Sequence, residues 1–339
     1  MRGKGMAYDT GFVRNGRSSR ESFEPEVVKR ELAIIRDDLH CTAVQVVGGD
    51  PDRLEQAAQW AADLGLEVWF SPYPLERTHE EMLALFADCA TRAERLRAAG
   101  ANVVFVTGVE LSVMNPGFLP GKDTAERVSL LFAEPERRAE RLAEVVKRID
   151  TFLDAAVHTV RERFHGPVTY ACIQFEQVDW SRFDFVTVEL IRSAEIADIF
   201  QEGVRTLVAQ GKPVAITGFG TATWRGAGDV ATRSMEIVEY DKETGEPLRL
   251  DGDYERDEAG QAAYLRELLE IFEAEGVDSA FVFLFALGNY PHRTGRDDLD
   301  LASFGLVKVL EDRSGTAYPG LNWEPKEAFA AVAEHYAKP

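Results

Sequence analysis

The chain has few of the residues that build disulfide frameworks or bind metal ions. It contains three cysteines, Cys41, Cys89 and Cys172, and six histidines among 339 residues. An odd number of widely spaced cysteines fits neither a disulfide framework nor a C-x-x-C metal site. No cluster of His, Cys and Asp has the spacing of metal ligands. We therefore predict three buried thiols, no bound metal and no other cofactor.

Long apolar runs are also absent. No stretch approaches the roughly 18 apolar residues of a membrane helix, and residues 1–20 include no apolar signal-peptide segment. Basic residues are outnumbered, with 38 Lys and Arg against 58 Asp and Glu, for a formal net charge of −20. Because so acidic a surface repels phosphate backbones and anionic lipids, we expect a protein that binds neither nucleic acid nor membranes. The unpaired cysteines indicate a cytoplasmic protein.

Several motifs of common enzyme classes are missing as well. The chain has no Walker phosphate loop and no G-x-S-x-G serine motif. The G-x-G-x-x-G turn of dinucleotide-binding sheets is not found after the first predicted strand. These absences argue against nucleotide-binding and serine-hydrolase folds.

The chain does contain eight short apolar runs that alternate with amphipathic helical stretches, from residues 5–9 to residues 279–285. The runs are continuous, which indicates strands buried on both faces of a parallel sheet. The helical stretches supply the crossovers that parallel strands need. We predict an α/β fold, a single (β/α)₈ TIM barrel spanning 1–339 as one domain, with an inserted hairpin at about 221–256 after strand seven. A doubly wound open sheet is the alternative.

Glu110 is the strongest candidate for a catalytic residue. The active site of a TIM barrel collects side chains from the carboxyl ends of its strands and from the loops that follow. Glu110 comes just after a fully apolar run, where burying a carboxylate is unfavourable. Partial burial would raise its pKa toward that of a general acid. The alternative is an ion pair between Glu110 and an arginine at the barrel rim.

Two further carboxylates and ten other residues complete the predicted site, and most of them lie at or after strand ends. Glu189 follows an apolar run too, where a catalytic role and a structural salt bridge are equal alternatives, and Glu176 is a weaker candidate. The aromatic candidates could stack on a ring-shaped substrate or belong to the core, and His292 could carry a proton or make a surface hydrogen bond. The predicted substrate-binding residues are Tyr8, Asp9, Trp69, Tyr73, Gln174, Gly218, Trp224, Arg225, Tyr290 and His292.

Four segments together resemble the clan of retaining glycoside hydrolases built on TIM barrels. They read YDTGF at 8–12, VTGVELS at 106–112, GFG through TWRGA at 218–227, and DLDLAS at 298–303. More narrowly, the chain resembles an actinobacterial group of barrel proteins labelled "abortive infection protein", over nearly its whole length. The resemblance implies a carbohydrate or other small-molecule substrate, with an acid/base glutamate after strand four, the position of Glu110.

The chain departs from that clan at the position of the nucleophile. The clan pattern after strand seven reads Thr-Glu-Phe-Gly, whereas this chain has Gly218 in place of the glutamate; the clan's Asn before the acid/base residue is Val109. Glycine cannot attack an anomeric carbon, and a retaining mechanism needs two carboxyl groups about 5–5.5 Å apart.

Three interpretations remain. Glu189 or Glu176 could replace the missing carboxylate, in a repurposed or inverting enzyme. Glu110 could act alone in an elimination, cyclisation or isomerisation of a small metabolite, for instance in secondary metabolism. Gly218 could instead mark a natural or engineered loss, leaving a pseudo-glycosidase that binds a carbohydrate or small molecule with little turnover.

Overall fold

Eight strands form the central sheet. The computed structural model describes residues 1–14, 16–133, 135–241 and 244–338. The strands are β1 (Gly3–Gly11), β2 (Ala43–Gly48), β3 (Glu67–Pro72), β4 (Val103–Val109), β5 (Val168–Ala171), β6 (Val186–Glu189), β7 (Val214–Phe219) and β8 (Ser279–Val282).

The strand order in this sheet is β5-β4-β3-β2-β1-β8-β7-β6. Strands β3, β4 and β5 pair in parallel, as do β1, β8 and β7. Cys172, directly after β5, forms a parallel bridge with Val188 of β6, which brings the two ends of the strand order together. The predicted (β/α)₈ barrel is confirmed, and the open-sheet alternative is wrong.

Helices follow most of the strands, as crossover connections require. They are α1 (Pro25–Asp37), α2 (Pro51–Asp63), α3 (His79–Ala98), α4 (Leu111–Met114), α5 (Thr124–Phe132), α6 (Arg138–Arg161), α7 (Ala197–Val208), α8 (Glu258–Glu275) and α9 (Glu327–Tyr336). Short 3₁₀ helices lie at Pro135–Arg137, Gln174–Glu176, Trp180–Arg182, Ala194–Ile196, Ala227–Arg233, Gly295–Asp297 and Leu299–Ala302. Helices α4 and α5 were not predicted, because neither is long enough for a clear 3.6-residue period.

Three two-stranded ribbons complete the secondary structure of the described residues. Val238–Tyr240 pairs antiparallel with Pro247–Leu250, which confirms the hairpin predicted within the insertion, although residues 242–243 of its turn lie outside the described residues. The other two ribbons pair Val13–Arg14 with Arg17–Ser18, and Val307–Val309 with Trp323–Pro325.

Contacts between residues divide the chain into two compact units. The first contains Met1–Asp9, Ser19–Val44 and Leu190–Pro339, and the second contains Thr10–Ser18 and Gln45–Glu189. In the first unit Phe219 packs edge-on against Phe272 of α8, with ring centroids 5.0 Å apart. In the second, Phe70 of β3 stacks on Phe105 of β4 at 6.1 Å. The prediction that residues 1–339 form one domain stays a prediction.

Two further expectations concern the state of the cysteines and the presence of membrane-spanning helices. All three cysteines are buried and unpaired, as predicted. Burial raises the pKa of the Cys41 and Cys89 thiols, so both stay protonated at neutral pH. Within the described part of the chain, every helix is too short or too polar to cross a bilayer.

A buried carboxylate in the first unit yields a stability prediction. Glu31 of α1 accepts hydrogen bonds from the Tyr8 hydroxyl (2.5 Å), the Arg20 guanidinium (2.8 Å) and the Trp323 indole N–H (3.0 Å). Glu31→Ala would leave a mostly buried guanidinium and two other donors without their acceptor. We expect it to lower the free energy of unfolding by about 3–5 kcal/mol, measured by urea denaturation followed by circular dichroism.

The same helix supplies the control. Glu26 pairs with Lys29 on the exposed face of α1, and exposed pairs contribute only about 0–1 kcal/mol. Glu26→Ala should therefore leave the denaturation midpoint almost unchanged. Equal losses in the two variants would contradict the assigned role of Glu31.

Candidate functional site

Glu110 lies directly after β4, in an unusual backbone conformation. Its φ of 46° and ψ of 39° place it in the left-handed region, and it begins the four-residue helix α4. A residue with a side chain is uncommon there, and such outliers cluster at functional sites. The Glu110 N–H donates to the carbonyl of Ala171, the last residue of β5, at 2.9 Å.

The carboxyl group of Glu110 is partly buried and lies near like charges. Burial is the largest cause that raises its pKa, followed by the charges of Glu189 and Glu176, and together they bring it to about 8. No arginine or lysine among the described residues forms the ion pair with it that the alternative of a rim salt bridge requires. A carboxyl group in these surroundings is protonated at neutral pH.

Glu176 is fully buried just after β5, and hydrogen bonds surround its carboxylate. Oε1 accepts from the Ser112 hydroxyl (2.6 Å) and N–H (3.2 Å), and Oε2 accepts from the Ile173 N–H (3.2 Å). The Tyr170 hydroxyl lies 2.8 Å from both oxygens. Burial raises the pKa of Glu176 to about 7, although the hydrogen bonds from Ser112 and Tyr170 oppose the rise.

Glu189 is the last residue of β6 and is partly buried. Its N–H donates to the Cys172 carbonyl at 2.9 Å. Its negative charge raises the pKa values of Glu110, Tyr73 and the Cys172 thiol. Glu176 and Glu189 therefore both lie within electrostatic reach of Glu110. We call this group, Glu110, Glu176 and Glu189 with Tyr73, Tyr170 and Cys172, the acid cluster.

Two other predicted site residues are Tyr73, which belongs to the acid cluster, and Gln174, which lies two residues before Glu176 in the chain. Tyr73 follows β3, and its ring meets Phe12 edge-on with centroids 5.0 Å apart. Burial, then the charges of Glu110 and Glu189, raise the Tyr73 pKa, so its hydroxyl keeps its proton. Gln174 is exposed in the 3₁₀ turn after β5.

Trp69 is not at the strand ends. It pairs with Val104 near the beginning of β4, whereas Glu110 follows the end of that strand. The ring is fully buried, packs edge-on against Phe185 at 5.1 Å, and donates from its indole N–H to Glu67 at 2.7 Å. An aromatic residue in an apolar run can face either end of the barrel, and here it belongs to the core.

Tyr8 and Asp9 lie at the carboxyl end of β1 in the first unit. The Tyr8 hydroxyl donates to Glu31 and accepts from Arg20 at 2.9 Å. Asp9 is buried, and its carboxylate accepts from the Ser19 hydroxyl at 2.6 Å. The hydroxyl of Tyr8 is thus occupied by protein partners.

The predicted site residues on the insertion and after β8 each contact a different residue of the first unit. Trp224 donates its indole N–H to the Ser234 carbonyl (2.9 Å) and packs on Tyr254, with ring centroids 5.3 Å apart. Arg225 is exposed and pairs with Glu255 at 2.6 Å. Tyr290 is buried, and its hydroxyl lies 2.6 Å from that of Tyr240 on the hairpin.

His292 belongs to a network of ion pairs. With Asp298 and Asp300 it offers ligand atoms within 4.8 Å of one another, a set of the type that binds metals. However, Arg256 contacts Asp298 (2.9 Å) and Asp300 (2.8 Å), and the buried Lys326 lies 2.9 Å from Asp300. Fixed cations already neutralise both carboxylates, which favours a structural network. The absence of a metal stays a prediction.

Gly218 is buried within β7, and its carbonyl accepts the Leu190 N–H at 2.9 Å. A glycine offers only backbone atoms at this position. Its correspondence to the missing nucleophile rests on the resemblance alone.

Two residues that form hydrogen bonds with Glu176 were not predicted from the sequence. Tyr170 lies inside the apolar run of β5 and resembles an ordinary core residue, and Ser112 is one of many serines. The one available signal for Ser112 was its position two residues after Glu110.

Comparison with known proteins defines the fold further. No protein-family profile matches the chain, and no curated protein matches its sequence. Among solved structures, a GH113 β-1,4-mannanase is 16% identical with a TM-score of 0.60, and the match covers 100% of both chains. The GH113 β-mannanase AaManA from Alicyclobacillus acidocaldarius is 14% identical with a TM-score of 0.58, over 99% of this chain and 97% of that chain.

A third match is an apo β-glucosidase named 1317. It is 13% identical with a TM-score of 0.60, over 99% of this chain and 98% of that chain. The chain therefore shares its (β/α)₈ barrel fold with these three glycosidases. At these identities the likeness concerns the fold alone.

Proposed function

We propose that this protein is a glycosidase-like enzyme that acts on a sugar or another ring-bearing small molecule, with Glu110 as general acid/base. The observation that carries the proposal is the partly buried Glu110 carboxyl, whose pKa is raised to about 8 beside a second carboxylate. A general acid must hold its proton at the working pH, and its pKa is best matched to that pH. The three glycosidases of similar fold support this class of substrate.

Glu189 is the better candidate for the second catalytic carboxylate. Hydrogen-bond donors from Ser112, Tyr170 and Ile173 surround both oxygens of the fully buried Glu176. A carboxylate so occupied is a poor nucleophile. Glu189 is only partly buried, and its charge is the largest electrostatic influence on Glu110.

The proposed reaction needs one proton donor and one anion. Glu110 would protonate the oxygen of the leaving group as the bond to the ring carbon breaks. With the carboxyl groups about 5–5.5 Å apart, Glu189 would attack that carbon, and a water molecule deprotonated by Glu110 would then break the bond between Glu189 and the sugar. With the groups about 6.5–9.5 Å apart, Glu189 would instead deprotonate a water molecule that attacks the carbon directly. The Tyr73 hydroxyl, held protonated by the same charges, would donate a hydrogen bond to the substrate.

A repurposed elimination, cyclisation or isomerisation is compatible with Glu110 acting alone, for instance in natural product biosynthesis. The proposal also includes a relationship of this chain to the actinobacterial group of barrel proteins that it resembles. The net charge of −20 supports a protein that binds neither nucleic acid nor membranes. The three unpaired thiols are compatible with a cytoplasmic location.

The proposal predicts the alkaline limb of the pH profile. Because Glu110 must be protonated, kcat/KM should hold through neutral pH and fall tenfold per pH unit above about 8, its raised pKa. The measurement uses alkyl and aryl β-mannosides and β-glucosides between pH 5 and pH 10. Dinitrophenyl glycosides are the control, because their leaving groups need little protonation. With these substrates the fall in kcat/KM above pH 8 should become shallower. A limb that is identical for both leaving groups would contradict acid catalysis by Glu110.

A second candidate function is a pseudo-glycosidase that binds a carbohydrate or small molecule. Gly218, at the position where the clan has its nucleophile, favours it. In that case, calorimetry should give the same affinity for sugars with the native chain and with Glu110→Gln. Neither protein should turn over a glycoside.

A further inference from the structure

The turn that carries Glu110 is bonded to β5 and to the segment after it through three consecutive amides. The N–H of Glu110 donates to the Ala171 carbonyl (2.9 Å), that of Leu111 to the Tyr170 hydroxyl (2.9 Å), and that of Ser112 to Glu176 (3.2 Å). Each amide thus has an acceptor supplied by residues 170–176. These bonds hold residues 110–112 in place.

Tyr170 and Glu176 work as one unit in this arrangement. The single hydroxyl proton of Tyr170 is donated to the Glu176 carboxylate, so the oxygen of Tyr170 is free to accept from Leu111. Glu176 also accepts the Ser112 hydroxyl at 2.6 Å. All three side chains are fully buried, where hydrogen bonds are strong and unmet donors are unfavourable.

The turn needs such support because of its backbone. At a φ of 46°, Glu110 is in a region disfavoured for residues with a Cβ. Conformations of this kind persist when the surrounding structure determines them strongly. Without the two acceptors, residues 110–112 would lose bonds that oppose relaxation to an ordinary conformation, which would reorient the Glu110 side chain.

We infer that Glu176 and Tyr170 are positioning residues, which lock the left-handed turn at 110–112 and thereby aim the Glu110 carboxyl at the substrate. The inference rests on the proposed role of Glu110 and gives Glu176 a role different from that of a second catalytic carboxylate. The two residues act through backbone amides, whereas Glu110 touches the substrate.

Glu176 has an electrostatic effect as well. Its charge adds to burial and to Glu189 in raising the Glu110 pKa. The titratable groups around Glu110 are Glu176, Glu189, Tyr73 and Cys172, and its charged form has no cationic partner among the described residues. Removing the Glu176 charge should therefore move the Glu110 titration to lower pH, whereas removing the Tyr170 hydroxyl should move it less.

Two variants of the full chain separate these effects. Tyr170→Phe removes the acceptor of Leu111 but keeps the ring and the Glu176 charge, and Glu176→Gln removes the charge at nearly constant size. We expect Tyr170→Phe to lower kcat on the order of tenfold or more with little change in KM, as a misaligned catalytic group does. Amide hydrogen exchange at Leu111 should accelerate on the order of tenfold.

The Glu110 titration is measured without any substrate. Carbon-13 NMR of chain labelled at glutamate carboxyls reports it, with the signal assigned by its loss in Glu110→Gln. We expect Glu176→Gln to shift this titration to lower pH. Tyr336→Phe is the matched control, since it removes a buried hydroxyl that contacts Gly5 and Ala280 instead of the acid cluster.

The inference is overturned if Tyr170→Phe lowers kcat and accelerates exchange at Leu111 no more than Tyr336→Phe does. It is also overturned if the Glu110 titration in Glu176→Gln matches that of the native chain. If Glu176→Gln does not fold, Ser112→Ala removes one donor to Glu176 and should still accelerate exchange at the turn. The exchange and titration results stand even if no glycoside is turned over, an outcome that would count against the proposed function alone.

Discussion

Replacing Glu110 with glutamine is expected to lower kcat/KM on the order of 10²–10⁴-fold. Glutamine keeps the size of the side chain but cannot transfer a proton. The native carboxyl, with its pKa raised to about 8 by burial, Glu189 and Glu176, is protonated at neutral pH and suited to donate. Michaelis–Menten measurements at pH 7 on an alkyl glycoside, which has a poor leaving group, give the full effect.

The loss should depend on the leaving group. A dinitrophenyl glycoside departs without a proton, so Glu110→Gln should retain most of its rate on that substrate. Glu80→Gln, on the exposed first turn of α3, is the matched control and should keep native activity on both substrates. Glu110→Gln should also fold normally, because it removes one of three neighbouring carboxyl groups. Native activity of this variant on the alkyl glycoside would refute the catalytic role.

The second large effect is expected at Glu189. If Glu189 supplies the nucleophile or the general base, Glu189→Gln should lower kcat on the order of 10²-fold or more for every leaving group. Removal of its charge also takes away the main electrostatic cause of the raised Glu110 pKa. The remaining activity should therefore fall at a lower pH than in the native enzyme. Both results come from one pH series of initial rates.

Gly218→Glu distinguishes this assignment from a lost nucleophile. If Gly218 replaced a catalytic glutamate, Gly218→Glu should switch on hydrolysis of a dinitrophenyl glycoside, and Glu189→Gln should matter little. If Glu189 is the second catalytic carboxylate, Gly218→Glu should bring no gain in rate and Glu189→Gln should lose most of the activity. A folded Gly218→Glu protein without a gain in rate, together with a Glu189→Gln protein that loses its activity, would exclude the lost-nucleophile interpretation.

The barrel could be predicted because its strands carry a local signal. In β4, all seven residues from Val103 to Val109 are buried, and the sequence indicates this directly because the run contains no charged residue and is mostly apolar. The same run makes the carboxylate after it conspicuous, so the sequence alone points to Glu110. Trp69 is different, because an aromatic residue in an apolar strand carries no local signal of the level that it occupies in the barrel.

The hydrogen-bond partners of the turn at residues 110–112 were decided by the tertiary structure alone. Leu111 meets the Tyr170 hydroxyl across 59 residues of sequence, and Ser112 meets Glu176 across 64. Hydrophobic periodicity depends on residues that are neighbours along the chain, so a single sequence is enough to detect it. A hydrogen bond or a pKa depends on which distant groups the fold brings within a few ångströms, and that information exists only once β4 and β5 lie side by side.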